Sequence, residues 1–145
     1  MNTAKIRDLL KKRCGPAFLG VYAIDRLPRP LPPRRPLLLV CNTDTHDKPG
    51  EHWIVLFVDM KGEIFDSLGE QPKRIFKLYM DTYCNSYTVN ERQLQSLTSY
   101  FCGHYCVYYC LMKCLNYSMH DIVTAFSHDT GLNDMIVHKF VCDNL

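Results

Sequence analysis

His52-Trp53-Ile54-Val55-Leu56-Phe57-Val58-Asp59 is the stretch whose reading decides the fold. Ile54, Leu56 and Val58 alternate with Trp53, Val55 and Phe57, so both faces are apolar, as in a central strand covered on both sides. Working outward, Leu37 to Cys41 reads as a second buried strand and Glu63 to Asp66 as a return strand. Phe18 to Ala23 and Ser86 to Val89 read as shorter extended segments. Helices are predicted over Ala4 to Arg13, capped by Thr3 and stopped by Gly15-Pro16, and over Lys73 to Tyr83. A central helix over Cys102 to Asn116, with Ser99 as its cap, is followed by shorter helices over Met119 to Phe126 and Leu132 to Cys142. The expected class is α+β: a small mixed, largely antiparallel sheet packed against the central helix and its flanking helices.

Length and composition agree with one domain over residues 1–145. The chain is 47% hydrophobic and 22% charged, enough apolar material for a single core. Five prolines and three arginines fall between Pro28 and Pro36, which forbids helix and interior strand there and predicts an extended surface connection. The apolar stretches Leu37 to Cys41 and Ile54 to Val58 are far shorter than the ~20 residues that cross a bilayer. The basic start, Lys5 to Arg13, leads into no secretory apolar core, so the expectation is a soluble intracellular protein that is not secreted, with no membrane partner.

The net charge of +2 hides an asymmetry. Residues 1–36 carry nine Lys or Arg against Asp8 and Asp25, a balance of +7, and the other 109 residues sum to −5. A cationic N-terminal third suits phosphate contacts, which makes DNA a candidate partner. Eight cysteines without a CxxC pair or a signal peptide read as reduced thiols. Cys102, Cys106, Cys110 and Cys114 recur every four residues along one helix face, where the last three are expected to pack against the sheet rather than bind metal.

Four residues in chain order have the chemistry of a cysteine-nucleophile site: His52, Asp66, Gln95 and Cys102. A thiol at a helix N-terminus feels the positive end of the dipole, and a neighbouring imidazole completes its ionisation and can later protonate a leaving amine. Asp66 would orient that imidazole, and the Gln95 amide with the Cys102 backbone N–H would stabilise an oxyanion. Gly103 would leave room for a substrate backbone, and Trp53 would shield the ion pair from water.

Strand register decides whether these groups meet. A turn at Lys61-Gly62 would pair Asp66 with Phe57, about 16 Å along the strand from His52. A turn at Asp59-Met60 would set Asp66 opposite Trp53, beside the imidazole, and this register is the expected one even though Lys-Gly is better turn chemistry.

Gly50-Glu51-His52-Trp53, Ile64-Phe65-Asp66-Ser67-Leu68-Gly69 and Gln95-x6-Cys102-Gly103-His104-Tyr105-Cys106, in that order, resemble the adenovirus protease (adenain) group of cysteine peptidases. That group is related to the SUMO-specific proteases and includes proteases of Polinton-type transposons and related DNA viruses. Phe18-Leu19-Gly20-Val21-Tyr22 and Asn133-Asp134 are softer matches.

The resemblance implies a permuted papain-like site, with His52 as base, Asp66 as orienting acid, Gln95 as oxyanion donor and Cys102 as nucleophile. It implies an endopeptidase that cuts structural precursors at glycine-containing sites, acts in the host nucleus and the virion, and works as a monomer without a cofactor for its chemistry. It also implies DNA and a short peptide as activators, the peptide forming a disulfide at a position similar to Cys84.

Overall fold

The structure is a computed structural model that describes residues 1–48 and 52–145. Gly50 and Glu51 of the first motif lie outside the described residues. Helix α1 (Thr3–Cys14) opens the chain, and its N-cap is Asn2, whose Oδ1 accepts a hydrogen bond from Lys5 N at 3.0 Å. Thr3, the expected cap, is already the first helical residue. The Asn2 carboxamide, one position earlier, reaches the free N–H groups of the first turn. Ile6, Leu9 and Leu10 are buried on one face, and Gly15 ends the helix at φ 59°.

Strands β1 (Phe18–Ala23), β2 (Leu37–Asn42), β3 (Trp53–Val58), β4 (Lys61–Phe65) and β5 (Ser86–Val89) form one sheet in chain order. β2–β3 and β3–β4 are antiparallel, whereas both edge pairs, β1–β2 and β4–β5, are parallel. The sheet is therefore less antiparallel than expected, because each edge strand arrives through a crossover, the connection that parallel pairing requires. One crossover is the proline-rich segment and the other is helix α2 (Arg74–Tyr83).

Alternation of side chains splits the interior into two cores. Leu38, Val40, Val55 and Phe65 face α1, α3 (Cys102–Cys114), α4 (Met119–Thr124) and α5 (Thr130–Asn144). Leu37, Leu39, Cys41, Ile54, Leu56, Val58 and Ile64 face Phe76, Tyr79 and Met80 of α2. Leu31 of the proline-rich segment and Leu27, just before it, close this second core. Tyr79 Oη donates to the Pro28 carbonyl at 2.6 Å, and the Arg29 guanidinium lies 5.1 Å from the Tyr79 ring centre. No helix among the described residues is long and apolar enough to cross a membrane.

The β3–β4 ladder pairs Val55 with Phe65, Leu56 with Ile64 and Phe57 with Glu63. The chain reverses around Asp59-Met60, as expected, but Lys61 and Gly62 are strand residues. One further step along this ladder sets Asp66 beside Ile54, not Trp53. Gly62 serves packing instead of a turn: a Cβ there would lie 2.6 Å from Cys84 Sγ and 2.8 Å from Met80 Cε.

Candidate active site

Because β3 and β4 are antiparallel, the start of one and the end of the other lie at the same end of the sheet. His52 precedes β3 and Asp66 follows β4, and His52 Nε2 stands 2.6 Å from Asp66 Oδ1. The acid is itself fixed. Its Oδ1 also accepts from Leu68 N at 2.8 Å, forming an Asx turn. Asn90 takes both backbone groups of Asp66: Oδ1 accepts from Asp66 N at 2.8 Å and Nδ2 donates to Asp66 O at 2.6 Å. The Asn90 amide thereby continues the β4–β5 pairing past its last rung, Ile64 with Val89.

With Nε2 committed to Asp66, the other ring nitrogen is left for the Cys102 thiol, which lines the same cleft. Burial pushes the Cys102 thiol up. The His52 hydrogen bond and charge, with the N–H groups of Trp53 and Gly103, outweigh that and hold it below the ordinary thiol range. Burial likewise opposes charge on His52, but hydrogen bonds and charge from Asp66 and Cys102 raise its pKa to about 10. Both shifts act toward a thiolate–imidazolium pair. By contrast, burial drives Cys106 and Cys110 far toward the thiol form. Both pack in the first core, as expected of the cysteine stripe.

α3 carries Cys102 at its first residue, with Phe101 and not Ser99 at the N-cap and no side-chain cap. Ser99 is used otherwise, its carbonyl accepting from Gln95 Nε2 at 3.1 Å. Gln95 Oε1 accepts from Ser67 Oγ at 2.6 Å, and the Gln95 side chain lines the same cleft as His52, Asp66 and Cys102. Its loop is tied down from three sides. Leu94 N and Gln95 N donate to the Ser67 carbonyl at 2.8 and 3.0 Å. Leu94 O accepts from Tyr105 Oη and Asn133 Nδ2, and Asp134 Oδ1 accepts from Ser96 N.

The cleft has a volume of about 660 Å³. Trp53 lines it while packing partly into the first core. Gly103 also lines it, but a Cβ there would face Ile6 Cδ1 at 3.4 Å and Met1 Cβ at 3.6 Å, so its small size accommodates α1. Cys84 lies away from this cleft, half-buried over Gly62, where burial raises its pKa and slows the thiolate exchange that a disulfide partner needs.

The four sequence-predicted groups thus come together at one site. Reading the residues one by one missed Ser67, Asn90 and the conformation of Gly69. Gly69 sits at φ 67°, its N–H bonded to Asp66 O, and a Cβ would strike backbone atoms of Glu91 and Arg92 at 2.8–2.9 Å. The polar Asn90 directly after a strand, and Gly69 three residues after the acid, were the available signals.

No protein-family model and no curated protein matches the chain. Solved structures do. A protease of ASFV matches with TM-score 0.64 and 18% identity over 94% of this chain. A second structure of that protease matches with TM-score 0.54 and 24% identity over 72%. The SUMO protease Ulp1, with its catalytic cysteine oxidized to a sulfinic acid, matches with TM-score 0.53 and 13% identity, covering 99% of this chain and 78% of its own. The chain spans 44% and 66% of the two ASFV protease chains. It has the α+β fold of these cysteine proteases; at such identities the likeness is one of fold.

Proposed function

We propose that the chain is a cysteine endopeptidase cutting at glycine-containing sites in viral or transposon structural precursors, as in capsid maturation. The observation that supports this reading is the Asp66–His52 pair in one cleft with the Cys102 thiol and Gln95. The Cys102 thiolate attacks the scissile carbonyl carbon, and its oxygen becomes an anion held by Gln95 Nε2 and the Cys102 N–H. His52 gives its proton to the leaving amine as the C–N bond breaks, leaving a thioester. Water, deprotonated by neutral His52, then attacks the thioester, releasing the acid and restoring the pair.

The test is hydrolysis of a panel of glycine-containing peptides by the parent protein and by Cys102→Ala. Turnover by the parent and none by the variant supports the reading; retained turnover in Cys102→Ala overturns it. The same protein incubated with SUMO-type conjugates tests a second reading, removal of a ubiquitin-like modifier, which the near-complete alignment with Ulp1 favours. Cleavage of conjugates in preference to peptides would select it.

DNA is the proposed polyanionic partner, engaged through α1, where Lys5, Arg7, Lys11 and Lys12 are exposed. Arg13, Arg34 and Arg35 instead donate to carbonyls within the chain, and Arg29 lies over Tyr79. Binding through about four phosphates would make log K fall with log salt at a slope of about −3 to −4. An activating peptide, and action in the nucleus and virion, belong to the same proposal and are tested by adding candidate peptides to the assay and by imaging tagged protein.

A further inference from the structure

We propose that Ser67 is a positioning residue that fixes the orientation of the Gln95 amide, an inference that rests on the peptidase reading above. Gln95 is almost wholly buried, and a carboxamide can turn over by 180° at little cost unless its two ends meet different partners. Here they do. Ser99 offers a carbonyl, which can only accept, so the end facing it must be the NH2 group, and one N–H is spent there at 3.1 Å. The opposite end is then Oε1, and the Ser67 hydroxyl, which is 1% exposed, must donate to it at 2.6 Å. That leaves the second Nε2 hydrogen for a substrate oxygen in the cleft.

Ser67 does this from an immobile place. Its own carbonyl accepts from Leu94 N and Gln95 N, so the hydroxyl and the amide it orients are locked by the same backbone contacts. Its neighbour Asp66 holds His52. Two adjacent residues therefore set both the imidazole and the oxyanion donor, and a shift of this dipeptide would disturb proton transfer and charge stabilisation together.

The experiment is a double-mutant cycle with Ser67→Ala and Gln95→Ala, read in kcat and KM. Ser67→Ala alone should lower kcat about 2- to 10-fold, the effect of one orienting hydrogen bond, with KM nearly unchanged. In the Gln95→Ala background the same substitution should have no further effect on kcat. An equal loss in both backgrounds would overturn the proposal, since Ser67 would then act by another route. The side-chain amide signals of Gln95 in ¹H–¹⁵N spectra give a readout that needs no turnover. They should shift and broaden in Ser67→Ala, and unchanged signals would overturn the proposal even if the parent protein cleaved no peptide. Failure of the parent to cleave any substrate, with the amide signals behaving as expected, would count against the peptidase reading alone.

Discussion

Asp66 stands 2.6 Å from the His52 ring although the strand ladder carries it toward Ile54. Contact is achieved because neither residue is in the ladder: one precedes β3, the other follows β4, and the Asx turn at Leu68 curls the carboxylate back. This pair sets the alkaline side of the pH profile. Below the Cys102 pKa the sulfur is protonated and cannot attack; above that of His52, about 10, the ring has no proton for the leaving amine. Asp66→Asn removes the negative charge that raises the His52 value and weakens the hydrogen bond it leaves, so the alkaline limb of kcat/KM should move to lower pH. An alkaline limb that stays in place would show that Asp66 does not govern the imidazole.

Gln95→Ala should lower kcat by about 10²–10³ with little change in KM, as expected for loss of one preorganised oxyanion donor. Steady-state kinetics on a peptide substrate checks this. A change confined to KM would assign Gln95 to substrate binding.

Among eight cysteines, Cys102 should be the thiol that reacts first with iodoacetamide at pH 6. Its pKa is lowered by an imidazole, whereas burial raises those of Cys41, Cys84, Cys106 and Cys110; Cys114 is also lowered, through Cys14, and labelling of Cys114 ahead of Cys102 would overturn this order. Peptide mapping by mass spectrometry reads the order of labelling. A Cys102 no faster than the exposed Cys142 would favour a binding module that has lost catalysis on this fold.

Gly69→Ala should destabilise the protein by about 1–3 kcal/mol through its positive φ, with a further cost from the backbone of Glu91 and Arg92 pressing on the new methyl. Because that segment leads directly to Gln95, turnover should fall as well. Urea denaturation and peptide hydrolysis measure the two effects. Unchanged stability would remove the strain argument.

The strands were legible because their alternation is local: β1 and β5 match the sequence reading at both ends, and β2 and β3 each differ by one or two residues. The four residues of the cleft were legible because each residue type has a chemical preference that survives without coordinates. What the sequence could not convey is what other elements decide. Asn2 displaced Thr3 as cap, and Phe101 displaced Ser99, whose hydroxyl instead donates to the Ser96 carbonyl and whose own carbonyl accepts from Gln95. Gly62 read as a turn residue because Lys-Gly favours turns, but the contact that demands a glycine there comes from Cys84 and Met80, far along the chain. Ser67 was quoted within a motif without a task, since its partner lies 28 residues away.

The segment from Pro28 to Pro36 joins two neighbouring parallel strands without a helix of its own and packs Leu31 beside α2 on one face of the sheet. Rings that restrict the backbone in the unfolded chain leave little freedom to surrender on folding, so Leu31 and the Pro28 carbonyl reach their places at small entropic cost. A flexible glycine-serine tether of equal length would join the same two strands yet give up that advantage. The α2 side of the sheet would then be the first part of the molecule to loosen on warming, and the cleft, which Ile54, Ile64 and Phe76 of that side help to line, would loosen with it.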